Sequence, residues 1–209
     1  MNMKKILLIA TLFSIFGISQ TKAQKVVEYR ESQARLAEPT MGVYIKPLIA
    51  ELEINATVGK IKEKYFTMAI DEYAKRLSRY VKLDIVEVAD EKTPDGASET
   101  EERMIRDKEG KRILSNLKED SYVITLEIEG KMLDSVELSK KINQIGVSGK
   151  GHITFIIGGS LGLSDEVKAR ADYKLSFSKM TFPHQLMRVV LLEQIYRSYR
   201  ILGNEPYHK

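Results

Sequence analysis

An α/β fold, with a mostly parallel sheet and helices on both faces, is the class this sequence predicts, and three patterns predict it. Short apolar runs alternate with longer segments of helical periodicity, the order of parallel strands joined by crossover helices. Ile153–Ile157 is almost wholly apolar, as a strand covered on both faces must be. Glycine and proline punctuate the segment ends, at Gly59, Gly130, Gly146, Gly149, Gly158 and Pro183.

Leu52, Ile54, Ala56 and Val58 alternate with polar residues up to Gly59, the pattern of a half-buried first strand. Ile61–Tyr80 repeats Tyr65, Met68, Ala69, Tyr73, Leu77 and Tyr80 at helical spacing, which predicts a helix whose stripe joins the core. Lys60, Lys62 and Lys64 at its start read as a solvated face. Val81, Leu83, Ile85 and Val88 give a second strand, and Pro94–Ser98 opens a loop. The charged helix Glu99–Leu117 follows, with Met104, Ile105, Ile113, Leu114 and Leu117 inward and Gly110 as a weak point in its middle. Glu99, Glu101 and Glu102 form a wet surface rather than a catalytic pair.

Tyr122–Ile128 is the third strand, ending in Glu129, Gly130 and Lys131. Ser135 suits the cap of the next helix, whose Val136, Leu138, Ile142 and Ile145 face inward until Gly146 and Gly149 stop it. The fourth and fifth strands, Ile153–Ile157 and Leu175–Phe177, each run into a loop of small and polar residues. A last helix starts with Pro183 in the first helical position and ends near Leu202. Its apolar residues, among them Leu186, Val189, Val190, Leu191, Leu192 and Ile195, exceed one stripe, so a subunit partner is expected to supply a second cover.

Composition removes several functions. With 43% apolar residues the chain buries a core, but with no cysteine it forms neither a disulfide nor a thiolate metal site. His152, His184 and His208 are too far apart in sequence for a metal motif, so no metal is expected. The formal charge of +4 lies wholly in residues 1–50, which hold seven Lys or Arg and three acids; the remainder carries 26 of each sign. Nucleic-acid binding by the main domain must then come from local patches and shape.

The chain divides at two points. Lys4 and Lys5 precede the apolar stretch Ile6–Ile18, and small or neutral residues through Ala23 follow. Residues 1–23 therefore read as a secretory signal peptide, too short in its apolar part for the roughly 20 residues of a spanning helix. Residues 24–50 are polar, weakly patterned and without an assigned role, and residues 51–209 form the main domain.

Gly158-Gly159-Ser160-Leu161-Gly162 carries the chemistry, and two readings of it stand. It matches G-x-S-x-G, the nucleophile elbow of a secreted serine esterase, with Ser160 followed in order by Asp165 or Asp172 and by His184 or His208. Alternatively the loops after Ile128, Ile157 and Phe177 form a backbone-lined seat for a nucleotide-like cofactor at the carboxyl ends of the strands.

Six stretches bear on the choice: Thr57–Lys60 with Lys62–Tyr65, Glu127–Lys131, Phe155–Leu163, Leu175–Arg188, Leu192–Arg197 and Glu205–His208. Through them, residues 51–209 resemble the ribosomal large-subunit methyltransferase H family, SPOUT-superfamily enzymes that methylate N3 of a pseudouridine in 23S rRNA. The resemblance implies a SPOUT-type sheet with a C-terminal trefoil knot, S-adenosylmethionine held by the knot loops, and a homodimer. By position, Leu126, Gly158, Phe177, Ser178, Lys179, Met180, Thr181 and Phe182 would contact the cofactor. Tyr207 and His208 would fold over the target base, with His208 the proton acceptor, and Arg188, Arg197 and Arg200 would meet RNA phosphate unless salt bridges engage them. His184 reads as a pocket hydrogen-bonder and His152 as structural. A neutral domain suggests that the substrate is the shaped rRNA of an assembled ribosome. The resemblance implies cytoplasmic work, in conflict with residues 1–23. Two departures from the family stand out: residues before Glu51 have no counterpart, and Gly203-Asn204 replaces a common Arg-Gly.

Overall fold

Five parallel strands in the order β2-β1-β4-β3-β5 form the sheet, β1 being Glu51–Ala56, β2 Lys82–Glu87, β3 Tyr122–Met132, β4 His152–Ile157 and β5 Tyr173–Ser176. The structure, a computed structural model, describes residues 51–56 (as backbone), 61 and 63–208. The readings of residues 1–50, of the strand end at Val58 and Gly59, and of Lys60, Lys62 and Lys209 lie outside the described residues.

Among the described residues the helices are α1 Lys64–Leu77, α2 Glu99–Ser115, α3 Ser135–Val147, α4 Asp165–Arg170 and α5 His184–Leu202. They divide between the two faces. α5 packs on α1 and α3, and their side chains share one core with Ile124, Ile153, Phe155, Ile157 and Leu175 from the sheet. α2 packs on α4, and the second core joins Ile113 and Val167 to Val123 and Ile156. β4 shows why: successive side chains alternate between the two cores, so Ile153–Ile157 is buried throughout. Its one buried polar residue, Thr154, is satisfied by the Ser121 hydroxyl at 2.5 Å.

Several local expectations change. Of the expected stripe Tyr73, Leu77 and Tyr80 do pack in the core, but Tyr65 and Met68 are 62% and 71% exposed and Ile70 is buried beside the stripe in their place. Met104 is likewise exposed, and α2 buries Ile105, Glu109, Gly110 and Ile113. Gly110 is a contact rather than a weak point, since a Cβ there would stand 2.1 Å from Ser164 Oγ on the N-cap of α4. Asp134, not Ser135, caps α3 in a capping box with Glu137, and the Ser135 hydroxyl donates to Gln194 Oε1 of α5 at 2.8 Å. Pro183 is the N-cap of α5, one position before the first helical residue. The six-residue α4 was not anticipated.

Candidate functional site: a three-loop cavity

β3, β4 and β5 are neighbours in the sheet, so their carboxyl ends bring three loops to one place. The loops enclose a cavity of about 520 Å³.

The first loop is an irregularity inside β3. Leu126 and Lys131 both register with Leu175 of β5, so residues between them leave the ladder and turn Glu127, Ile128 and Glu129 to the cavity. Gly130 permits it: a Cβ there would lie 2.7 Å from the Leu175 carbonyl carbon and 2.9 Å from Lys174 C and O. The buried Thr125 hydroxyl donates to Glu127 Oε1 at 2.7 Å, and Lys174 stands 3.9 Å from its other oxygen.

The second loop follows β4. Gly162 N–H donates to Gly159 O at 3.1 Å, Gly162 takes a φ of +83, and a Cβ on Gly158 would stand 3.0 Å from the Gly162 carbonyl carbon. The backbone therefore folds on itself and presents main chain to the cavity. The third loop follows β5, where Ser176 Oγ lies 2.9 Å from Ile128 O and 3.1 Å from Ser178 O and can donate to either. The Ser178 hydroxyl accepts from Met180 N–H at 3.0 Å, shaping a turn that exposes Met180 and Phe182 at the mouth.

Of the eight residues expected to hold a cofactor, Leu126, Gly158, Phe177, Ser178, Met180, Thr181 and Phe182 line this cavity, and Lys179 does not. Sequence reasoning named the loop after Ile128 but missed its carboxylates. Glu127 and Glu129 with Lys168 are the charged groups of the lining, which favours a ligand carrying positive charge.

The nucleophile-elbow reading fails on geometry. An elbow strains its serine, yet among the described residues Asn204 is the only non-glycine with positive φ. Asp172 accepts from Val123 N–H at the start of β3, the opposite end of that strand from the cavity, and from Arg170. Asp165 is an exposed first-turn residue of α4. Ser160 is a turn corner.

A model described as "Predicted SPOUT methyltransferase" matches residues 52–208. The chain belongs to the SPOUT methyltransferase family. It is 67% identical over 153 residues to a Methanococcus maripaludis protein named putative ribosomal RNA large subunit methyltransferase H, a match covering 73% of this chain and 96% of that one. A Clostridium novyi ribosomal RNA large subunit methyltransferase H is 65% identical over 152 residues, with the same coverage of each chain. A Clostridium perfringens protein named ribosomal RNA large subunit methyltransferase H 1 is 63% identical over 153 residues, again covering 73% and 96%. Among the described residues no helix is long and apolar enough to cross a membrane.

The remaining residues expected in this SPOUT site lie outside the cavity. Arg188 is 1% exposed and pairs with Glu87 at 2.6 Å, so its guanidinium is enclosed in the fold instead of facing RNA. Arg197 pairs with Glu193 and Arg200 with Glu205, at 2.5 and 2.6 Å. Salt bridges thus engage all three. Tyr207 and His208 do not line the cavity of their own chain. Tyr207 packs edge-on to Tyr196 with Arg197 over its ring at 4.7 Å, and its hydroxyl donates to Glu193 Oε1 at 3.2 Å. Burial first, then Tyr73 and Glu193, push the Tyr207 phenol up to about 12. His184 is also absent from the lining, and burial followed by the Arg188 charge holds its imidazole below the usual value, hence neutral near pH 7. His152 is structural as expected, its Nδ1 lying 3.0 Å from Asp120 Oδ2.

Proposed function

We propose that this SPOUT methyltransferase binds S-adenosylmethionine in the three-loop cavity and methylates N3 of a pseudouridine in 23S rRNA of the assembled ribosome. One observation carries the reading: three adjacent strand ends close one backbone-lined cavity on the residues that the family resemblance implies. Its size and the absence of a side chain at Gly158 suit an adenosyl group laid against main chain, and Glu127 and Glu129 suit a sulfonium and an ammonium. The names of the relatives, each a ribosomal RNA large subunit methyltransferase, support rRNA as substrate. Ribosomes and cofactor together make the cytoplasm the place of work.

The bound cofactor supplies an electrophilic methyl group, and the chain's own residues orient the two partners and take the N3 proton. Tyr207 stays protonated at neutral pH and serves as a donor and a wall, which leaves the exposed His208 as proton acceptor. Because the tail does not line its own chain's cavity, we infer a homodimer in which each tail serves the other protomer's cavity. The two-sided apolar pattern of α5 supports this. Membership of the SPOUT family supports a trefoil knot around the cavity.

The test combines calorimetry with S-adenosylmethionine, transfer of labelled methyl to ribosomes and to free 23S rRNA, and sedimentation. Cofactor binding, a dimer, and transfer to ribosomes alone are expected. Truncation after Glu205 should abolish turnover and leave cofactor binding intact, and Ser160→Ala should retain full turnover. Absence of cofactor binding, or covalent capture of Ser160 by a fluorophosphonate, refutes the reading.

A further inference from the structure

The end of α5 is built as a latch. Gly203 N–H donates to Tyr199 O at 2.9 Å, and Asn204, at a φ of +51, reverses the chain. Glu205 N–H then donates to Arg200 O at 2.9 Å, which brings the Glu205 side chain back against the helix. Its carboxylate accepts from the Tyr80 hydroxyl, 3.0 Å from both oxygens, and pairs with Arg200 at 2.6 Å. Tyr80 is buried and stacks on Tyr199 at 5.6 Å, so the fixed side of the latch belongs to the core. The turn itself is made by Asn204, the non-glycine of positive φ among the described residues, while a Cβ at position 203 would meet the movable end of the Glu205 side chain at 3.1 Å.

Chain termini ordinarily fray unless something ties them down. Here a charge-assisted pair and a buried phenol hold a residue only three positions before His208. An extended residue spans roughly 3.3–3.6 Å, so a change of direction at Glu205 displaces the imidazole by several ångströms. We propose that Tyr80, Arg200 and Glu205 are positioning residues, a latch that sets the direction in which Pro206–His208 leave α5 and so presents His208 to the substrate. The proposal rests on the tail's role in the function proposed above. It gives Arg200 a task other than phosphate binding.

Full-length Glu205→Gln and Tyr80→Phe test it, because each removes one tie while keeping side-chain shape and the Tyr80 ring stack. Amide hydrogen exchange over residues 203–208 should quicken in both, with the interior amides of α5 unchanged. Turnover on ribosomes should fall on the order of 10- to 100-fold, the scale of an ångström-sized misplacement. Cofactor affinity and the KM for ribosomes should stay within about twofold. The double variant should be no worse than the poorer single one, as members of one device are not additive.

Unchanged exchange would show that no latch exists. Faster exchange with unchanged kcat would overturn the positioning role. A weaker salt dependence of ribosome binding in Arg200→Gln, by a slope of about one, would make Arg200 a phosphate ligand instead. A wild type that transfers no methyl to ribosomes overturns the functional reading and the positioning role with it, while exchange alone still decides whether the latch is there.

Discussion

Gly130→Ala tests whether the cavity depends on two backbones touching. The added Cβ would lie 2.7 Å from the Leu175 carbonyl carbon, where ordinary contact begins at 3.4 Å, so one chain must move by about 0.7 Å. The obstacle is main chain on two sides, Leu175 and Lys174, and no rotamer relieves it. The displacement falls where Lys131 and Met132 pair with Leu175 and Ser176. Overpacking of this kind costs about 1–3 kcal/mol, which for a domain of this size lowers Tm by roughly 2–12 °C. Because Leu175, Ile128 and Glu129 line the cavity, cofactor affinity should fall as well. Gly151→Ala is the control, since a Cβ there meets nothing within 4 Å and its stability should change by less than about 0.5 kcal/mol. Thermal unfolding and calorimetry on the two variants give the answer. If Gly130→Ala melts with Gly151→Ala and binds the cofactor as well, the approach is not tight and the account of the first loop is wrong.

Three further outcomes follow from the same geometry. Gly110→Ala should destabilise by about 1–3 kcal/mol, because its Cβ would stand 2.1 Å from Ser164 Oγ and 2.9 Å from Ser164 Cβ; adding Ser164→Gly should restore most of the loss in thermal melts, at a few tenths for the cap. Glu109 is buried, and burial first, then Asp90 and Glu91, raise its pKa above 4.5, so its contribution is full below that value and is lost as pH rises through the raised pKa; Glu109→Gln, which can still accept from Glu91 N–H, should gain on the wild type in neutral melts and lose this gain in acid. Ribosome binding should show a shallow salt dependence, well under the 6–10 phosphate contacts of strongly electrostatic binders, and a steep slope in a binding titration would contradict the neutral body and the paired arginines of α5.

How far the sequence discloses all this depends on whether a feature is local. The strands are legible because β4 must be apolar on both faces, and the glycine loop is legible because Gly158 must lack a side chain to approach Gly162, which itself takes a positive φ. The start of α1 is not, since Tyr65 and Met68 share the spacing of Tyr73 and Leu77 and look like core until Ile70 is seen to be buried in their place. α4 escapes notice because six residues with one buried side chain, Val167, carry almost no periodicity. Gly110 looks like a helix defect until Ser164, remote in sequence, is placed against it. The same holds for charge. Glu193 and Arg197 are four apart and could be paired on paper, but Glu87 and Arg188 are separated by 101 positions.

The arginines of α5 connect these threads. A helix rich in arginine at the end of an rRNA methyltransferase invites a phosphate-binding reading, yet each of the three reaches a carboxylate first, and two of those carboxylates, Glu193 and Glu205, hold the tail. Tyr207 lies under Arg197 and Arg200 and against Tyr196, so the positive charge of the helix end acts on an aromatic ring of its own chain. A domain with no net charge that commits its arginines in this way gains little from long-range attraction to RNA. What it gains is a tail with a fixed point of departure, and geometric selection of one base within a folded ribosomal surface requires that more than it requires affinity.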